Sequence, residues 1–182
     1  MKNEKLLVKE RLFWAYANLA MAHSAIDKNQ THYNTVNYMI RAKLYKGLME
    51  NRINLGTFFD DEKIKLNVGK KCNYCGSTKQ LSYDHVIPKS KLVLDKSDNL
   101  LIICQKCNSS KKDLDLLEWM NKQDYILPIL VLRRYLKLVI EYCSYNDLME
   151  EKISDITKYD IPFRLDLLPK SLPKPNELIL HY

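Results

Sequence analysis

The sequence predicts an α+β fold, mostly helical, with a small strand–strand–helix unit in its middle and helices on both sides. Three observations predict it. Apolar residues recur at helical spacing in the first third of the chain and again in the last. The middle, residues 70–113, is instead rich in Cys, Lys, Asn and Ser with only short apolar runs. Two Cys-x-x-Cys pairs bracket that middle segment. The chain divides on this reading into an N-terminal helical region (residues 1–56), a central core (57–113) and a C-terminal helical region with a Pro-rich tail (114–182).

Residues 4–26 read as the first helix, with Leu6, Phe13, Ala17 and Ala20 recurring near one face and Leu12, Tyr16 and Leu19 beside them. The polar run 28–31 breaks it. A second helix is expected over residues 33–51, with Val36, Met39, Ile40, Leu44 and Leu48 as its apolar stripe and Arg41, Lys43 and Lys46 largely outside it. Gly56 marks a loop over 54–61. In the centre, Leu81-Ser82-Tyr83 leads into Asp84-His85 as a strand, residues 88–98 form a polar loop, and residues 100–103 are a second, buried strand. A helix is expected to start near Cys107 and to carry Asn108, Lys111 and Lys112. Residues 114–122 form another helix, and Pro128 suits the first turn of the next, where its missing N–H is no loss. That last helix buries Leu132, Leu136, Val139, Ile140 and Cys143. Residues 145–156 read as a further short helix. Beyond Pro162 the chain is expected to run extended, packed on the surface or on a partner.

Composition narrows the function classes. The chain has 182 residues, 46% of them apolar, which suits a packed globular protein. No apolar run approaches the roughly 20 residues of a membrane span, and residues 1–11 lack the apolar core of a signal peptide. A cytoplasmic protein with no membrane partner is expected. Net charge is +7. Residues 1–56 carry nine Lys/Arg against four Asp/Glu, residues 57–113 eleven against seven, and residues 114–182 nine against eleven. The positive excess thus lies in the first two-thirds, a field that draws a polyanion toward it. The twelve tyrosines suit base stacking or, more simply, the rim of a core. Arg133-Arg134 suit a nucleic-acid path or an ordinary solvated helix face. His23, His32 and His181 stand apart from any motif and read as structural or solvated.

Cysteine usage is specific. Cys72-Asn73-Tyr74-Cys75 and Cys104-Gln105-Lys106-Cys107 are matched knuckles, and Cys143 is left over on an apolar stripe. An odd count fits disulfide pairing poorly and fits a metal site plus one inert core thiol well. The two-residue gap lets both thiolates of a pair face one ion. Four thiolates make a closed tetrahedral structural zinc site from Cys72, Cys75, Cys104 and Cys107. Buried thiols or a redox pair account less well for two pairs at matched spacing.

Between and within the knuckles lie Tyr83-Asp84-His85-Val86-Ile87-Pro88, Asp98-Asn99-Leu100-Leu101 and Cys107-Asn108-Ser109-Ser110-Lys111. In order and spacing these units resemble the HNH endonuclease family, the His-Me finger or ββα-metal nucleases, over about residues 72–113. The resemblance implies phosphodiester hydrolysis, most simply of double-stranded DNA, leaving 5′-phosphate and 3′-hydroxyl ends. It implies His85 as general base, Asp84 and Asn108 as ligands of one catalytic Mg²⁺ (or Mn²⁺), and Asn99 as a brace that orients the histidine. Lys111, one helical turn after Asn108, would meet a phosphate. The third motif position is Asn where the family name expects His, and an amide oxygen still ligates a hard cation. Small enzymes of this kind, bacterial or phage, serve in restriction, antiphage defence or mobile elements, alone, as homodimers or with a partner protein. The alternative is a zinc-stapled nucleic-acid-binding module without activity, which has no need of Asp84, His85 and Asn108 together.

Overall fold

The computed structural model describes residues 6–57, 65–66, 69–90, 97–123 and 126–182. Among them are five helices and one two-stranded antiparallel sheet: α1 (Val8–Asp27), α2 (Thr35–Met49), β1 (Leu81–His85), β2 (Leu100–Cys104), α3 (Gln105–Lys111), α4 (Leu116–Gln123) and α5 (Ile129–Tyr145). The mostly helical α+β expectation holds, and one apolar cluster runs through all three parts of the chain, from Val8 and Leu12 through Ile87, Leu101 and Ile103 to Leu117, Val139 and Leu178. No described helix is long and apolar enough to cross a membrane.

Helix α5 is central. Its residues Ile129–Leu132, Tyr135, Leu136, Leu138–Ile140 and Cys143 are all buried. It packs against α1, which is itself buried around most of its circumference. The entry to α1 is fixed by the Leu7 amide donating to the Glu10 carboxylate at 2.8 Å, an acidic side chain reaching back to an otherwise orphaned N–H. The first amides of α1 also donate outward, Val8 to the Glu151 carbonyl (2.9 Å) and Lys9 to that of Met149 (3.0 Å). Residues 145–156, expected as a helix, serve as this clamp instead. They form turns, then a 3₁₀ segment, Ile153–Lys158. A backbone that gives its carbonyls to another element's free amides cannot also spend them on its own helix.

Of the stripe expected on α2, Leu48 is buried and Leu44 packs on the core, but the first half of the helix is turned relative to expectation. Val36 and Met39 stand 52% and 63% exposed. The side facing α1 carries Asn37, Arg41, Tyr45 and Leu48. The Arg41 guanidinium lies 4.5 Å from the Trp14 ring and donates to Asn18 Oδ1, while Tyr45 meets Trp14 edge-on at 5.4 Å. The apolar residues of α2 are spread so widely around it that the partner surface decides which side is buried. Here Trp14 and Asn18 receive a cation better than a methyl-rich stripe.

The tail is packed on the chain's own core. Phe163, Leu165, Leu168 and Leu178 are buried, and Arg11 donates to the Leu168 carbonyl. The carbonyls of Ile179 and Leu180 accept from the amides of Ile129 and Leu130, the first residues of α5. Pro128 thus precedes two helix-start donors that the tail satisfies.

Candidate active site and metal centre

The first knuckle is a tight turn anchored to the sheet. The Cys72 carbonyl accepts from Gly76 N–H (2.8 Å), and the Cys72 amide donates to Ser77 (2.7 Å). Gly76 takes φ +75° with Tyr182 against it, leaving no room for a side chain. Asn73, buried, donates its side-chain amide to the carbonyls of Ile102 (2.8 Å) and Leu66 (2.9 Å), which ties the knuckle to β2. The second knuckle needs no turn of its own. Cys104 ends β2 and caps α3, and Cys107 follows in its first turn.

All four Sγ atoms lie within 4.8 Å of one another, and none is in a disulfide. Cys75 and Cys104 Sγ are 3.7 Å apart, close to the roughly 3.8 Å that tetrahedral Zn–S bonds of 2.3 Å require. Burial pushes the Cys72 and Cys107 thiols up, Cys107 far up because the neighbouring cysteines add to the effect. Hydrogen bonds from the start of α3 and from the other cysteines hold Cys104 below its ordinary range. Cys72 and Cys107 keep their protons unless a cation replaces them. The four cysteines are positioned to bind a metal ion, and their chemistry fits zinc. Cys143 lies elsewhere, in α5, where burial pushes its thiol up to about 12.

The strands bring the rest together. β1 and β2 pair in the register Asp84↔Leu101 and His85↔Leu100, and α3 packs on both strands. The end of β1, carrying Asp84 and His85, therefore lies beside α3, carrying Asn108. All three side chains are partly exposed. The Asn108 side chain makes no hydrogen bond among the described residues, so its amide oxygen remains open to a hard cation.

Asn99 lies between the strands in sequence and immediately precedes Leu100, the residue that pairs with His85. Asn99 is 1% exposed. Its Oδ1 accepts from the Ile87 amide and its Nδ2 donates to the Ile87 carbonyl, both at 2.8 Å. Its own carbonyl accepts from Val86 at 2.8 Å. The two residues after His85 are thus gripped at three points by one asparagine. An amide side chain carries donor and acceptor in one plane, so it meets the N–H and the C=O of one residue at once.

Lys111 is placed differently from the surface position its sequence suggests. Its side chain is 1% exposed, and its ammonium donates to Asp84 Oδ2 (3.2 Å) and to the His85 carbonyl (2.8 Å). A phosphate contact from the face of α3 does not fit this position. The stem lies in the core and the charge is met at the strand end. Removing the cation leaves a half-buried carboxylate and a carbonyl without their donor. Lys111→Met is therefore expected to lower stability by about 2–3 kcal/mol, less than a fully buried pair because Asp84 keeps some exposure to water. Chemical denaturation measures this, and a loss under about 0.5 kcal/mol, the level of a solvated surface pair, would contradict it.

Tyr83 precedes Asp84 in β1. Alternation along β1 puts it on the same side as His85, and it stands 66% exposed. Only the strand period and the exposure together single it out, and exposure is not written in the sequence.

Residues 72–114 match the model of the HNH endonuclease family. That match, over about a quarter of the chain, and the four metal-positioned cysteines support a nuclease or nucleic-acid-related function in general. No curated protein and no solved structure matches the chain.

Proposed function

We propose that the protein is a metal-dependent endonuclease that hydrolyses phosphodiester bonds in DNA. The observation that carries this reading is the packing of α3, which carries Asn108, against the strand whose end carries Asp84 and His85, while Asn99 clasps the backbone of Ile87 two residues on. A binding module has no use for a histidine so restrained beside an acid and an open amide.

In this reading His85 takes the proton from the attacking water, imidazole being the side chain suited to that task near neutral pH. Asp84 and Asn108 hold the catalytic cation with oxygen ligands, as Mg²⁺ or Mn²⁺ prefers. When bound, that cation stabilises charge on the phosphate and on the leaving oxygen. Lys111 orients the Asp84 carboxylate by occupying Oδ2. Zinc in the four-cysteine site serves structure alone, since four thiolates leave no open position. Restriction, antiphage defence or mobile-element processing is the setting we propose for such a cutter, acting in the cytoplasm alone, as a homodimer or with a partner protein.

The test is plasmid relaxation. Zinc-loaded protein with supercoiled DNA nicks it when Mg²⁺ or Mn²⁺ is added and not when the divalent cation is omitted. A single site nicks one strand, so linear product appears later or with second-order dependence on protein. Bound but uncut DNA under all these conditions would favour the non-catalytic binding module. In the nuclease reading Tyr83 serves as a stacking platform for substrate. Tyr83→Ala is expected to raise KM by about 5- to 100-fold, the worth of one aromatic–base contact, with kcat little changed. A loss confined to kcat would exclude stacking.

A further inference from the structure

Helix α5 is apolar along most of its length yet buries two cations, Arg134 (1% exposed) and Lys137 (3%). A buried cation is tolerated only where its donors meet acceptors. Lys137 donates to the Thr57 carbonyl at 3.0 Å. Arg134 reaches the 3₁₀ turn Ser97–Asn99: Nε donates to the Asp98 carbonyl at 2.6 Å, Nη2 to the Ser97 carbonyl at 3.4 Å, and Nη2 stands 3.9 Å from Asp98 Oδ1. The last residue of that turn is Asn99, whose side chain holds the Ile87 peptide and whose carbonyl holds Val86. Val86 is bonded to His85. A continuous path therefore runs from the guanidinium through the turn and Asn99 to the backbone that carries the imidazole.

We propose that Arg134, outside the segment that matches the nuclease family, is a positioning residue for His85. The proposal rests on the nuclease reading for its catalytic consequence. A planar fork that bonds two successive carbonyls fixes the orientation of the turn as well as its distance, which a point charge does not. Asn99 can clasp Ile87 with both ends of its amide only if the turn presents it squarely. The C-terminal helix is in this way wired into the active site, and α5 is more than a scaffold under it.

The experiment compares wild type, Arg134→Met, Arg134→Lys and Lys137→Met, each zinc-loaded, by two readouts. One is hydrogen exchange at the Val86 and Ile87 amides, which is independent of activity. The other is kcat and KM for plasmid nicking. Arg134→Met is expected to speed exchange at both amides by about tenfold or more. It is also expected to lower kcat by about 10- to 100-fold with KM nearly unchanged, as misplacement of a catalytic group does. Arg134→Lys recovers part of both. Lys137→Met removes an equally buried cation from the same helix and leaves exchange at Val86 and Ile87, and kcat, near wild type. If Arg134→Met does not yield folded protein, Arg134→Gln takes its place in the same comparison. Equal exchange and equal kcat in the Arg134 and Lys137 variants overturn the proposal. Unchanged exchange at Val86 and Ile87 overturns it whatever the activity, while a wild type that never cuts removes the nuclease reading and leaves the exchange result to decide the structural link.

Discussion

His85→Ala is expected to slow Mg²⁺-dependent plasmid nicking by about 10²- to 10⁴-fold, the range that a positioned general base contributes. The fold should not suffer in proportion. His85 ends β1 with its side chain partly exposed, and what holds its neighbours is backbone and the Asn99 amide, neither of which the substitution removes. Zinc content and melting temperature therefore stay near wild type while the rate falls, a separation that a merely structural histidine would not give. The metal ligands behave differently. Asn108→Ala removes one oxygen from the cation site, so its defect shrinks as Mg²⁺ is raised, whereas the His85→Ala defect does not respond to Mg²⁺ and is partly restored by added imidazole. Single-turnover cleavage across a Mg²⁺ titration reads both. A His85→Ala variant that nicks within a few-fold of wild type would remove the base from this site, and Mg²⁺ rescue of His85→Ala would make it a ligand.

The parts of the site that the sequence showed are those whose chemistry dictates spacing. Two thiolates can face one ion across a two-residue gap, so Cys72, Cys75, Cys104 and Cys107 are readable before any coordinates, and the strand–strand–helix order follows from what lies between them. The apolar stripe of α5 was equally plain, since it is buried on nearly every side. The residues that the sequence concealed are polar ones with distant partners. Lys111 and Asp84 are 27 positions apart, and Arg134 and Asp98 are 36 apart. In a local pattern Lys111 reads as a phosphate contact and Arg134 as a nucleic-acid path or a solvated face, because nothing within a turn or two announces the carbonyl or carboxylate that will meet them. The orientation of α2 failed for a related reason: its contact with α1 is made by Arg41, Tyr45 and Trp14, and a count of apolar residues gives these no weight. The loops expected at 54–61 and 88–98 fall in part on residues 58–61 and 91–96, which lie outside the described residues.

Removal of the metal from the four-cysteine site is expected to unfold the centre of the chain. Apparent binding free energies of structural zinc are about 10–16 kcal/mol, as large as the whole stability of an ordinary domain, about 5–15 kcal/mol. The local structure offers little to replace it. The first knuckle is one turn around Gly76, and the sheet it anchors has two strands among the described residues, too few to be stable alone. Without the cation, Cys72 and Cys107 hold protons, as their raised thiol values require, and the sulfurs no longer attract a common centre. Acid acts in the same direction, since protons compete with the metal for thiolates. Treatment with a strong chelator should therefore release one zinc per chain and make four thiols reactive to a chromogenic disulfide. Cys143, buried in α5 with its thiol pushed up to about 12, should react only when the rest of the chain unfolds. Cleavage is lost with the zinc, and returning Mg²⁺ alone does not restore it, while returning zinc and Mg²⁺ does. The loss follows from geometry: β2 runs directly into Cys104, and Asn108 lies one residue beyond Cys107, so the thiolates that hold the metal also hold the helix that would carry the catalytic ligand. A metal-free protein with unchanged melting temperature and a single reactive thiol would mean that the four sulfurs are merely packed together, and that the sheet and α3 stand without them.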